Sequence, residues 1–274
     1  MVIIALYPLP FLGLLSAATV VMSASLRGPR DAILDCVAAL PLLFGLSLLA
    51  GLDNIAGVIG TAAVSCAVWI GLGWLAGSSG SLALAVQAAV LLALLGLASF
   101  VFAVGDPLEF WLPMLEAFYA DFSSQGLTTP VDLPQQAGLM SGGLLAFVLV
   151  GTLLALLLGL SLACRVIGRD IGDEFRSLRL GYVIGAGAAI TGLLALVGVQ
   201  LHGALLVFAA AFTFQGVAVV AWWAGRLDWP RSWWLAVVIP PLVFVGFLIV
   251  ELAALAALGF VDNGFSLRRR RADD

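Results

Sequence analysis

Two carboxylates sit among residues suited to hydrocarbon. Glu251 interrupts the run Phe247-Leu248-Ile249-Val250-Glu251-Leu252, and Asp35 stands beside Cys36 early in another apolar run. A charged side chain at the centre of a bilayer costs about 2.5–3.5 kcal/mol on insertion scales, so such residues face a bundle interior or a watery cavity. Glu251 leaves two chemistries open: a polar site for an ion or ligand, or a protonated acid held by internal hydrogen bonds. Asp35 lies close to Arg30, which favours snorkelling or end-capping. Thr213 and Gln215 follow in Phe212-Thr213-Phe214-Gln215-Gly216. A glutamine amide in lipid needs partners, supplied either by a neighbouring helix or by a ligand. Gly216 beside it lets a helix or ligand come close. The expectation is a cavity lined by Glu251, Gln215 and Thr213.

No catalytic set accompanies these residues. His202 is the single histidine, in the short turn Gln200-Leu201-His202-Gly203. CxxC, P-loop, GxSxG and HExxH patterns are missing from the sequence. The three cysteines, Cys36, Cys66 and Cys164, are odd in number and irregularly spaced, which gives neither a disulfide framework nor a metal site. The reading is non-enzymatic, without cofactor or metal. Active uptake through such a chain needs a partner ATPase.

The elements that must hold these side chains follow from composition. Of 274 residues, 63% are hydrophobic and 10% charged, against about 25% charged in ordinary soluble domains. That excludes a secreted disulfide scaffold, a nucleic-acid-binding domain and a cytosolic enzyme. It points to an all-α, polytopic transmembrane bundle in the cell inner (cytoplasmic) membrane, with the lipid bilayer as its main partner. A helix needs about 20 apolar residues to span the hydrocarbon. Eight stretches qualify, near 3–26, 32–51, 55–77, 82–104, 139–164, 180–200, 203–225 and 233–260. The first lacks the basic lead of a cleavable signal peptide, since the first arginine is Arg27, and reads as a span that stays. The runs are continuous, not alternating, which disfavours a β-barrel.

The breaks between runs are chemically consistent. Asp53-Asn54 is placed to cap the third span. Trp222, Trp223, Trp229, Trp233 and Trp234 surround the loop at 226–231, as interfacial indoles do. All 12 basic residues are arginines: eight fall in the loops at 27–31, 165–179 and 226–231, and four in the tail at 268–271. Eight crossings put those loops and the tail on opposite sides, so the arginine bias conflicts with itself. A break at Pro240-Pro241, or the close pair at 180–225, would shift the count by one.

Residues 105–138 are the one long connection, with five acids and no base. Leu108, Trp111, Leu112, Leu115, Phe118, Tyr119 and Phe122 form one helical stripe, with Glu109, Glu116 and Asp121 largely off it. This is either an amphipathic helix in the non-cytoplasmic interface or a lid over an outward cavity, with Gln125-Gly126, Pro130 and Pro134 as its hinges. Small residues recur at four-residue spacing: Gly13 and Ala17 in the first span, Gly181, Gly185 and Ala189 in the sixth. Such faces let helices approach closely, within the chain or against another membrane subunit.

The segment Phe212-Thr213-Phe214-Gln215-Gly216-Val217-Ala218-Val219-Val220 resembles the aromatic-x-x-Gln-Gly-hydrophobic core of the YybS-like family, bacterial multispan proteins whose domain has no assigned function. The ending Gly259-Phe260-Val261-Asp262-Asn263-Gly264-Phe265 with Arg268-Arg269 is similar to that family's closing pattern, although Gly264 replaces a bulky residue. Asp173-Glu174-Phe175-Arg176-Ser177-Leu178-Arg179-Leu180 is similar to a polar loop before its later spans. The family is distantly similar to the S-components of energy-coupling-factor transporters. That resemblance implies a subunit that captures a small molecule and docks onto a transmembrane and ATPase module. Gln215 and Glu251 would then line the pocket, and Gly13 and Ala17 the docking face. The long acidic connection and some eight spans instead of six depart from that pattern. A non-transporting scaffold or assembly factor is the alternative.

Overall fold

The computed structural model describes residues 12–51, 53–124, 132–198, 200–230, 232, 234–235 and 245–268. The expected breaks at Gln125-Gly126, Pro130 and Pro240-Pro241, Trp233, the arginines at 269–271 and the start of the first run lie outside the described residues. Within them the chain is helical: α1 (Leu12–Arg27), α2 (Pro29–Leu49), α3 (Ile55–Ser79), α4 (Leu82–Val104), α5 (Pro107–Ser124), α6 (Leu133–Val166), α7 (Gly172–Arg176), α8 (Gly181–Leu196), α9 (His202–Arg226) and α10 (Val245–Phe265).

Six of these are long and apolar enough to cross a membrane: α2, α3, α4, α6, α9 and residues 247–265 of α10. The helices α1 and α8 are apolar but shorter. Large apolar side chains point away from the protein, with Phe102 93%, Leu49 86% and Phe147 77% exposed. Water would penalise such a surface and hydrocarbon accepts it. The chain is a multi-span membrane protein.

Local chemistry sets the boundaries. Gly28 adopts φ +92, a conformation that strains any residue with a Cβ, and this single residue separates α1 from α2. Pro29 then opens α2, where its missing N–H costs nothing. Asn54 caps α3 as its residue type predicts, accepting the Gly57 N–H at 2.9 Å. The Asp106 carboxylate accepts the Leu108 N–H at 2.9 Å at the start of α5. Asp132 does the same for Gln135 at 3.3 Å, so α6 begins before the expected 139 and Pro134 lies in its first turn. The last helix also departs from expectation, running to Phe265 instead of ending near 260.

The chain divides into two compact units, residues 1–89 with 150–178 and residues 90–149 with 179–274. In the first, α1 is the central strut. Its Ala17, Ala18, Val21 and Ala24 are buried. Glycines on two helices meet its backbone: a Cβ on Gly73 or Gly77 of α3 would lie 2.7 Å from the Val21 carbonyl or 2.6 Å from that of Ser25, and one on Gly159 of α6 2.6 Å from that of Ala18. Asp35 of α2 turns back to Arg27, at 2.7 Å, and accepts the Ser23 hydroxyl at 2.7 Å. Its partner is thus Arg27 of the preceding helix, not the nearer Arg30.

In the second unit α9 and α10 form the main pair. Val207, Phe208, Ala211, Phe212, Gln215 and Val219 make a buried stripe at helical spacing along α9. The two helices cross at Gly216, which faces the Leu255 backbone, and at Gly259, which faces that of Phe212. The rings of Phe212 and Phe260 meet edge to face, centroids 5.3 Å apart. The α5 stripe faces inward through Leu108, Trp111, Leu112, Leu115 and Tyr119, while Glu109, Glu116 and Asp121 are exposed. Phe118, expected on the stripe, is exposed and lies edge-on to Tyr119 instead. The side chain of Phe122 lies outside the described residues.

Candidate functional site

Polar side chains converge in two places within the second unit. The first is where the ends of α8 and α10 meet the middle of α9. Helix α8 begins with backbone N–H groups that no side chain of its own caps, and such donors need partners when buried. Gln215 reaches across from α9 and accepts the Leu180 N–H at 3.0 Å. Asn263 of α10 accepts the Gly181 N–H at 3.1 Å and returns its own amide N–H to the Gly181 carbonyl at 2.9 Å. The other end of the Gln215 amide donates to Asp262 Oδ2 at 3.0 Å.

Asp262 is fully buried yet well supplied. Arg268 Nη2 donates to its Oδ2 at 2.6 Å and Arg268 Nε to its Oδ1 at 3.3 Å. This two-pronged grip fits guanidinium to carboxylate. A tight reversal after α10 brings Arg268 back. Ser266, at φ +54, donates its N–H to the Asp262 carbonyl at 2.9 Å. Arg179 donates to the same carbonyl at 3.3 Å. Every buried side-chain polar atom among the described residues has a partner. The cluster ties the start of α8 and the end of α10 to the middle of α9.

Of the residues expected to share a pocket, Gln215 is engaged away from Glu251, while Thr213 lies beside the neighbour of Glu251. Gln215 is buried and engaged at both ends of its amide, to Leu180 and Asp262. Glu251 is half-buried eleven residues before Asp262, about 16 Å along a helix axis. Thr213 approaches the Ala209 carbonyl at 2.8 Å and that of Leu252, the neighbour of Glu251, at 3.2 Å. Gly216, beside Gln215, accommodates α10. Of the small-residue positions, Ala17 is packed inside α1's own surroundings and Gly13 is half-buried. Gly181 and Gly185 both meet Asn263, and Ala189 is half-buried. His202 is exposed at the start of α9. The three cysteines are free, and no group of three or more metal-ligating side chains forms among the described residues.

The second place is an open hollow of about 480 Å³, whose lining residues Ala98, Val101, Phe102, Gly138 and Gln200 are exposed. It is bounded by Leu94, Leu97, Ala98, Val101 and Phe102 of α4, Pro107 of α5, Gly138, Ser141 and Gly142 of α6, and Gln200, Leu201, Gly203 and Ala204 at the start of α9. Its volume is within the ordinary range of small-molecule sites, about 300–1,000 Å³. Pro107 and Gly138 stand at either end of the long acidic connection, so both ends of that connection border the hollow. Ser141 Oγ accepts the indole N–H of Trp111 at 2.7 Å, and Tyr119 donates to Gln136 Oε1 at 3.1 Å, which bind α5 to the first turns of α6. Gly142, itself part of the lining, faces the Gly203 backbone.

Sequence reasoning missed Ser141, Gln200 and the glycines around them as a site. The usable signal was the pair Gly138 and Gly142 flanking a serine, together with an amide and a glycine around an uncapped helix start. No protein-family model matches the chain, and no curated protein or solved structure matches it.

Proposed function

We propose that this membrane protein is a small-molecule capture subunit, and that the cavity bordered by α4, α5, α6 and α9 is its binding site. The observation that carries the reading is the 480 Å³ hollow, apolar on most sides with a few polar groups, as ligand sites usually are. In this reading the six long helices are joined by α1 and α8 as further crossings, eight in all. The helix α5 lies in the interface as the movable edge of the pocket. Glu251 and Thr213 form a secondary polar patch on the α9–α10 pair, and Gln215 holds the bundle that supports the site.

The YybS-like resemblance is compatible with this role, and through it a bacterial inner membrane and a transmembrane ATPase module as partner. A scaffold would need a small-residue face left open for another subunit. Ala17 and Gly185 are occupied inside the chain, which removes them as a docking face in either reading, and the hollow is what favours capture. Native mass spectrometry of the purified chain discriminates the two: capture predicts a retained small molecule, and a scaffold predicts a retained membrane protein with no small-molecule adduct.

A further inference from the structure

The spacing of the cysteines along the chain gives no framework, yet the fold pairs two of the three. Cys36 belongs to the buried stripe Ala32, Cys36, Ala39 and Leu43 of α2. Cys66 falls at helical spacing between the buried Ala62, Trp69 and Gly73 of α3. These two helices follow one another and pack together. Cys36 lies thirteen residues before Leu49, where α2 ends, and Cys66 eleven after Ile55, where α3 begins. Those steps are about 20 Å and about 17 Å along the two axes. The hairpin therefore brings both cysteines to one level, and their thiols are close enough to hydrogen-bond to each other. Both are free, Cys36 buried and Cys66 half-buried. Cys164 of α6 borders a different, small hollow with Leu160, Arg169 and Glu174.

We propose that Cys36 and Cys66 are an oxidative modification site, closing to a reversible disulfide that fastens α2 to α3. Sulfurs already in contact need only a small approach to form a bond of about 2.05 Å. Both lie inside spanning helices, so the oxidant must dissolve in the membrane, and a lipid hydroperoxide is the class that fits. The half-buried Cys66 is the accessible thiol. Its sulfur attacks the terminal oxygen of R–O–OH, and the O–O bond breaks. The RO fragment leaves with the thiol's proton as the alcohol ROH, and Cys66 becomes a sulfenic acid. The Cys36 sulfur then attacks the Cys66 sulfur. The S–OH bond breaks, and the hydroxyl takes the Cys36 proton and departs as water. The two thiols lose two electrons and the hydroperoxide gains them. The product is uncharged, as hydrocarbon favours; two thiolates around a monovalent soft cation would carry a net negative charge beside Asp35. The inference does not depend on capture, since the pair lies in the first unit and the hollow in the second.

The test treats the full chain in lipid nanodiscs with cumene hydroperoxide, denatures it, and counts alkylatable thiols by intact mass. The count should fall from three to one, with peptide mapping placing the bridge at Cys36 and Cys66, and a phosphine reductant should restore it. In Cys164→Ser the count should fall from two to none. Cys36→Ser should form no bridge and should leave on Cys66 a sulfenic acid that dimedone traps. Three surviving thiols in the wild type, a bridge through Cys164, or oxidation of separate, unbridged thiols would overturn the assignment. So would the lack of a dimedone adduct on Cys66 in Cys36→Ser.

Discussion

Arg268 closes back on Asp262 six residues earlier, Nη2 to Oδ2 at 2.6 Å, and both side chains are withdrawn from solvent. Removing one member of a buried pair strands the other charge and costs about 3–5 kcal/mol. Asp262→Ala and Arg268→Ala should each lower stability by that amount. The double variant should lose clearly less than the two together, because partners in contact are not additive. Thermal unfolding of the four proteins measures the coupling; simple additivity would mean that the pair contributes nothing jointly.

Gln215 serves this same carboxylate and the start of α8. Gln215→Leu should cost about 1–3 kcal/mol, the penalty for leaving buried groups unpaired. Gln215→Glu should cost more, since it sets an oxygen against Asp262 where a donor stood. Unfolding midpoints that rank glutamate above leucine would contradict this placement of the amide.

The α9–α10 crossing depends on the absence of two Cβ atoms. At Gly216 and Gly259 an added methyl would run into opposing backbone, which cannot swing aside. Gly192, inside α8, has open space around the same position. Gly216→Ala and Gly259→Ala should therefore each reduce folded yield and midpoint. Gly192→Ala should be neutral or stabilising by up to about 1 kcal/mol, the helix propensity gain. Comparable losses at all three would argue against close packing at the crossing.

Glu251 takes no part in the buried polar cluster. Glu251→Gln should change stability by no more than about 0.5 kcal/mol, as for substitutions away from such networks. A loss as large as that of Asp262→Ala in the same unfolding assay would show a partner for this carboxylate that the packing does not provide.

The helical membrane class was legible because hydrocarbon solvation leaves a mark at every residue: long apolar runs, arginines in the breaks, and Asn54 ahead of α3. The α5 helix was legible from its stripe and its acids. The grouping of polar residues was harder. Gln215 and Glu251 both look stranded in one dimension, yet a residue's partner depends on where helices cross. Gly216 and Gly259 fix that crossing so that Gln215 meets Asp262 and Thr213 meets Leu252. The pairing of Asp262 with Arg268 was not legible, because a turn through Ser266 at positive φ is what joins them. The cavity left almost no trace, since most of its walls are leucine, alanine and glycine, residues that read as plain span.

Small-molecule capture requires occupancy of the hollow bounded by Leu94, Ala98, Ser141 and Ala204. Native mass spectrometry of the wild-type chain and of Ala98→Trp, purified side by side, tests it most directly. Wild type should carry a small-molecule adduct that is lost in the tryptophan variant, with both proteins folded. A bare wild-type chain, or the same adduct on both, would contradict it.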